Sequence, residues 1–275
     1  QAEDGIRDAQ ESRGLGDVYK RQDKDAIDFE HRYWENDTLQ RIRQSFREHI
    51  RKYNFTKALE IGFGPGFDMV HFAQTFPNAQ INGVDVSAEM VRIANEKIIQ
   101  SNLQNAIVKE GSVEDIESQF PGERYDMIYV FFGALNTVND LNASIKELER
   151  LLLPGGNLVL TFVNKWYVGG IIIESLKGKF GRAFSRLKKI WGGYSPTNFL
   201  ASKCYSTSEV KSSSTLSCEY QRGYSIFFPA WYYRGIHKRL PSKIRLFLWH
   251  LDSKISRTKL GTLGEYMLYD FQKKH

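Results

Sequence analysis

The chain is short of the features that would fix its class at a glance. It has two cysteines in 275 residues, Cys204 and Cys218, with no metal-ligand spacing and too few for a disulfide framework. They fit a reducing cytoplasm, where they serve as small apolar fillers. No apolar run approaches the roughly 18 residues of a membrane-spanning helix. The most apolar stretch, Ile226-Phe227-Phe228-Pro229-Ala230-Trp231-Tyr232-Tyr233, is far too short. No internal repeat is visible, which argues against a solenoid. Hydrophobic content of 41% with 25% charged residues is ordinary for a globular protein. At this length one domain with insertions is as consistent as two.

What the chain does have is a row of closely spaced glycines. Ala58-Leu59-Glu60-Ile61-Gly62-Phe63-Gly64-Pro65-Gly66 reads as a buried strand running into a sharp turn. Glycine there allows the backbone to turn tightly and approach a ligand where a Cβ would collide. Asp85, in Val84-Asp85-Val86-Ser87, lies 23 residues after Gly62, about where the second strand of a βαβ unit presents a carboxylate to a ribose. Together they point to a nucleoside cofactor. The dinucleotide fingerprint needs glycine at its sixth position, and here that position is Phe67. A pyrophosphate also favours a helix N-terminus free of anions, whereas Glu60 offers a carboxylate suited to an ammonium group. An NAD-type oxidoreductase is disfavoured on both counts.

The spacing Glu60-x-Gly62-x-Gly64-x-Gly66 resembles the first motif of the class I S-adenosylmethionine-dependent methyltransferases. Further matches follow in order. Ala79 to Asp85 reads as a second strand, and Ser87 as the N-cap of a helix with Met90, Ile93, Ala94 and Ile98 on one face. Ala106 to Gly111 reads as a third strand leading into Ser112-Val113-Glu114-Asp115. The family often places Asp-Ala in that turn, with the Asp on the adenine amino group; here Ser112 departs from the pattern and Glu114 shares the role. Tyr125 to Phe131 is a near-continuous apolar run, as a central parallel strand should be. A helix from Asp140 to Leu153 then meets Pro154-Gly155-Gly156 and the strand Leu158 to Phe162, similar to the family's approach to its fifth strand. The resemblance covers residues 57–164 well and the remainder loosely.

The resemblance implies an α/β fold with a doubly wound, mostly parallel seven-stranded sheet and S-adenosylmethionine as cofactor. By it the cofactor is held by Glu60, Gly62, Gly64, Gly66, Asp85, Val86, Met90, Ser112, Val113, Glu114 and Phe131. An aromatic ahead of the first strand often closes the cofactor, which singles out Tyr33 or Trp34; an equal alternative is that the ring staples the N-terminal helix to the core. That helix is expected over residues 38–52, from Leu39, Ile42, Phe46 and Ile50. Asn136, after the fourth strand, stands where family members place substrate-facing residues. With Tyr33, Trp34, Trp166 and Tyr167 it makes up the expected acceptor side.

Methyl transfer is an in-line displacement with a neutral thioether leaving, so alignment of the reactants supplies much of the rate. A base is needed only for a nucleophile that arrives protonated with a high pKa. Related enzymes often carry histidine where this chain has Asn136, and no strong base is advertised elsewhere. Asn136 and His31 are weak catalytic candidates. His237 and His250 read more simply as surface or packing residues, and no metal site is expected.

Residues 1–22 look foreign. Read back through the genetic code, 1–8 and 12–22 are what standard sequencing-library adapters encode, with 9–11 spanning a variable index. The expectation is a non-native segment on a gene cut upstream of Asp23 in an assembly of mixed environmental DNA. An S-adenosylmethionine-binding core is then expected over 23–164. Residues 165–275 would complete the sheet around two cap insertions, 166–203 and 229–262. A helix capped by Ser206 or Ser208, a sixth strand from Glu219 to Phe227 and a seventh from Glu265 to Phe271 fill the remainder.

Charge divides at the same boundary. Residues 23–164 carry a net −7 and residues 165–275 a net +14 within a total of +6. The insertions alternate apolar and basic residues. Such a pattern on one helix usually means a core face and a solvated face, but interfacial helices with Trp and Lys/Arg also lie on membranes this way. The expected acceptor is therefore small or lipid-linked, with an anionic group a further option. Peripheral contact with the inner membrane surface follows. Nucleic acid is less favoured, since no Asn/Asp-Pro-Pro-Tyr motif or RNA-binding module is present. A non-catalytic binding module on the same fold is the remaining rival.

Overall fold

The computed structural model describes residues 33–192 and 201–274. The helix α1 (Asp37–Ile50) is capped by the Asn36 side chain, which accepts from Leu39 N. Strands β1 (Lys57–Ile61), β2 (Gln80–Asp85), β3 (Ala106–Glu110) and β4 (Tyr125–Val130) then alternate with α2 (Phe67–Thr75), α3 (Ala88–Gln100) and the single turn α4 (Ile116–Gln119). Next come α5 (Leu141–Leu151) and β5 (Leu152–Val163). Residues 166–203, expected as the first insertion, hold α6 (Val168–Leu176), α7 (Phe180–Ala183) and two short strands, β6 (Trp191–Gly192) and β7 (Ala201–Ser202). After α8 (Thr207–Ser212) and β8 (Ser217–Tyr224), the second insertion holds α9 (Arg234–Arg239) and α10 (Ser242–Ile255), ahead of β9 (Tyr266–Gln272).

Seven strands form one sheet in the order β3-β2-β1-β4-β5-β9-β8. The first five are parallel, and β9 inserts antiparallel between β5 and β8. Side chains alternate across a strand, and the two faces build two cores. Ala58, Met127, Tyr129 and Phe131 pack with Ile42, Phe46 and Phe72 from the helices of one face. Leu59, Ile61, Ile128 and Val130 pack with Ile145 and Leu148 of α5 on the other. Central strands covered on both faces must be apolar throughout, which is why β4 shows no polar period.

Several expected boundaries hold and a few move. Ser87 caps α3 by accepting from Met90 N, and Ser206 rather than Ser208 caps α8, with Glu209 closing a capping box. The Pro154-Gly155-Gly156 stretch joins β5 because Gly155 N bonds Lys273 O and Lys273 N bonds Gly156 O. The Lys273 ammonium also takes the carbonyls of Glu149 and Leu152, ending α5 at Leu151. The sixth strand stops at Tyr224 instead of running to Phe227. Ser225 turns with φ +54°, and the next three N–H groups, of Ile226, Phe227 and Phe228, go to the Asp252 carboxylate.

Candidate cofactor site

The carboxyl ends of β1, β2 and β4 meet at the glycine turn. Gly62 sits at φ +67°, and a Cβ there would stand 2.6 Å from Ala134 Cβ. Gly66 opens α2 at φ +76°, with Ala94 Cβ 2.8 Å from where its own Cβ would be. These two glycines are demanded by packing as well as by conformation. Gly64 differs: at φ +56° a Cβ would meet nothing within 4 Å, so the tip of the turn faces open space. A ligand could approach the backbone there.

Asp85 is buried at the end of β2. Its Oδ2 accepts from Gly64 N at 2.8 Å and its Oδ1 from Ser87 N at 3.0 Å. The carboxylate therefore fixes the turn and the start of α3 together. A carboxylate offers about four acceptor positions, so holding the turn is compatible with holding a ribose. Val86 is half-buried beside it and Met90 is buried on the first turn of α3.

Glu60, 2% exposed, accepts from Tyr129 Oη at 3.1 Å. Burial pushes its carboxyl well above the usual range, and nearby Asp68 pushes the same way; Arg43, Tyr129 and Arg47 pull it back. A buried acid so placed favours its neutral form until a cation arrives.

Around it stands a group of side chains that the sequence had not singled out. Arg43 pairs with Asp68, and Arg47 Nε joins the same carboxylate at 2.6 Å. The Arg43 guanidinium lies 4.7 Å from the ring of Tyr33, 5.1 Å from Phe67 and 4.5 Å from Phe132. Each distance is within the range of cation–π attraction. One signal was legible: Arg43 falls on the apolar stripe of α1, four residues after Leu39 and three before Phe46, where a solvated arginine has no reason to be.

Tyr33 and Trp34 do reach the turn. Their rings lie 4.8 and 5.6 Å from that of Phe67, the residue after Gly66. Tyr33 is 6% exposed and Trp34 60%. Phe131 does not face the site, since its ring packs on Phe46 and Tyr129 in the core. Phe132, at φ +51°, sets its ring under the Arg43 guanidinium and 5.2 Å from that of Phe46. In the turn after β3, Ser112 donates its N–H and its hydroxyl to Asp115 Oδ2, both at 2.8 Å. Val113 is buried and Glu114 exposed. The acid that organises this turn is thus Asp115, not Glu114.

Two acceptor-side expectations are corrected. Asn136 is 1% exposed. Its Nδ2 donates to Val163 O at 3.2 Å and Lys203 O at 2.7 Å, while its Oδ1 accepts from Val163 N at 2.9 Å. Both amide protons are committed to backbone, so Asn136 is a staple between strand ends and not a catalytic group. Tyr167 is buried within the cap, its hydroxyl accepting from Ala230 N at 3.2 Å. Trp166 remains half-exposed beside it.

His31 and residues 1–22 lie outside the described residues. His237 bonds Ala230 O at 3.0 Å and His250 bonds Leu246 O at 2.8 Å, so each is tied to cap backbone. Among the described residues, no group of three or more His, Cys, Asp or Glu is placed to hold a metal.

The strand order and the reversed strand β9 define the class I methyltransferase fold. Residues 58–156 match the family model of a methyltransferase domain. A demethylmenaquinone methyltransferase of Anoxybacillus flavithermus is 28% identical over 147 residues, 53% of this chain and 57% of that protein. The chain spans little more than half the length of such curated relatives. Among solved structures, the [4+2]-cyclase SpnF aligns with TM-score 0.55 at 18% identity, over 86% of this chain and 81% of its own. Coclaurine N-methyltransferase bound to N-methylheliamine and S-adenosylhomocysteine aligns with TM-score 0.53 at 16% identity, over 84% and 71%. At these identities the likeness is one of fold.

Proposed function

We propose that the chain binds S-adenosylmethionine across the glycine turn and directs its methyl group to a small-molecule or lipid-linked acceptor beneath the cap. The observation that carries this reading is the pairing of two buried acids around an open glycine tip. Asp85 is oriented by Gly64 and Ser87 to receive a ribose, and Glu60 is a buried carboxyl suited to an ammonium. The turn at residues 112–115 would border the adenine, with Val86 and Met90 against its ring. Tyr33 and Trp34 would close over the other end. S-adenosylmethionine supplies an electrophilic methyl on a sulfonium, so the residues here bind, align and exclude water. With Asn136 committed to backbone, no general base is assigned, which suits a nucleophile reactive as it arrives.

The relative acting on demethylmenaquinone supports a quinone-like or other lipid-linked acceptor. The net +14 of residues 165–275 supports an anionic one, met at the inner membrane surface. Among the described residues, no helix is long and apolar enough to cross a membrane.

Calorimetry tests the cofactor assignment. Asp85→Ala removes a charge-assisted hydrogen bond worth roughly 1.5–3 kcal/mol, so S-adenosylmethionine affinity should fall about tenfold to over a hundredfold. NAD should show no saturable binding. Tight NAD binding, or an Asp85→Ala variant that binds like the parent, would sink the assignment. Cofactor turnover with labelled methyl in a cell-extract metabolite screen tests transfer; binding without transfer to any acceptor would favour a non-catalytic module.

A further inference from the structure

Both cap insertions share a property that core packing does not explain. Over residues 166–192 and 229–262 the only carboxylates are Glu174 and Asp252, and both are buried. Asp252 is occupied by three backbone N–H groups, and Glu174 by Lys177 at 3.0 Å. The same stretches carry thirteen lysines and arginines besides the buried Arg186. The cap thus presents many cations to solvent and no exposed acid among the residues described.

Large apolar side chains are exposed on both insertions. Leu176 is 84% exposed, Phe247 64% and Phe180 61%. Helix α10 has fourteen residues and buries only Asp252. At 100° per residue, Lys243, Phe247, His250 and Lys254 fall on the side turned away from Asp252. The insertions form one body: Lys177 lies 4.7 Å above the ring of Tyr233, and Arg186 donates to Tyr232 Oη at 3.1 Å. Exposed apolar groups rimmed by like charge mark an interaction site.

We propose that this cap surface docks on an anionic lipid bilayer, its lysines and arginines meeting the headgroups and Leu176, Phe180 and Phe247 entering the interface. The inference rests on the lipid-linked reading of the acceptor and adds the surface that would bring the site to it. Charge alone would suit RNA equally. Exposed Phe180 and Phe247 would also stack on bases, but Leu176, Ile244 and Leu246 add exposed aliphatic area that an acyl interface takes up and a base does not, which favours lipid.

Co-sedimentation of the whole chain with vesicles of mixed phosphatidylglycerol and phosphatidylcholine, beside pure phosphatidylcholine, tests this. The parent should pellet with the anionic vesicles at low salt and be released as salt rises. Each basic residue near the surface is worth about fivefold in partition, so Lys243→Gln with Lys254→Gln should lower it about 25-fold. Phe247→Ser should lower it roughly tenfold through lost apolar burial. S-adenosylmethionine affinity should stay unchanged in these variants, which separates failure of docking from failure of the cofactor assignment. Three results would overturn the proposal: no pelleting of the parent with anionic vesicles at low salt, equal pelleting with neutral ones, or tighter binding to a short single-stranded RNA. A Phe247→Ser variant that sediments like the parent would overturn the insertion of α10.

Discussion

The sheet and the cap are held by different forces. Strands β1, β4 and β5 bury nearly every side chain and close two apolar cores. Among the described residues of the cap, few apolar side chains are buried: Tyr167, Ala230 and Tyr233 form one small cluster, and Ala183 is buried besides. Trp191, Trp231 and Trp249 pack against the first core of the sheet, and polar anchors hold the cap besides, of which two stand out. Asp252 gathers three backbone N–H groups. Arg186 donates to Asn164 O at 3.0 Å, Glu265 O at 3.3 Å and Glu265 Oε1 at 3.3 Å, between the rings of Tyr167 and Trp191. Apolar cores tolerate gradual change, whereas a buried ionic anchor fails when one partner goes. Loss of one such anchor is therefore expected to release the cap before the cofactor site is lost.

The sharpest way to break this comparison is Arg186→Ala. Removing one member of a buried pair leaves the other uncompensated, at about 3–5 kcal/mol. Hydrogen exchange should show lost protection in α6, α9 and α10 with β1 and β4 retained. Uniform loss across both regions would show that cap and sheet are one cooperative unit.

Next in size is a pH effect at the same anchor. Burial pushes the Glu265 carboxyl up to about 7 against the pull of Arg186. Between its ordinary value, 4.5, and about 7, the folded chain holds a proton that the unfolded chain has released. Stability therefore falls as pH rises through that window, by on the order of 3 kcal/mol, and the loss is complete above it. Glu265→Gln should flatten the decline in urea midpoints between pH 5 and 8. An unchanged slope would remove Glu265 as its source.

The smallest effect belongs to the core. Glu60 favours its neutral form while buried, and an ammonium beside it would favour the carboxylate. Binding of S-adenosylmethionine should then release protons and strengthen as pH rises through the raised value. Titrations in buffers of different ionisation enthalpy should give different apparent heats, and Glu60→Gln should erase the difference. Identical heats for the parent would mean that no proton leaves Glu60.

How far the site was legible depends on the reach of each interaction. Gly62, Gly64 and Asp85 could be read because the turn's conformation and the βαβ spacing are properties of neighbouring residues. Arg43 left a trace, a cation on an apolar stripe, but its partner Asp68 is 25 residues away. Phe131 and Phe132 were indistinguishable in sequence, since the positive φ of Phe132 that sends successive rings different ways is not written in the residue type.

By itself, the sequence determined the parallel sheet, the glycine cradle and the division of charge, because strand period, left-handed turns and composition are written locally. Only the tertiary structure decided the fate of the polar residues. Asn136 looked free to meet a substrate until Val163 and Lys203, 27 and 67 residues on, took its amide. Asp252, the one acid on a basic helix, closes over the end of β8. The choice between serving a ligand and serving the fold rests on which distant backbone groups need a partner when buried, and no local pattern carries that demand.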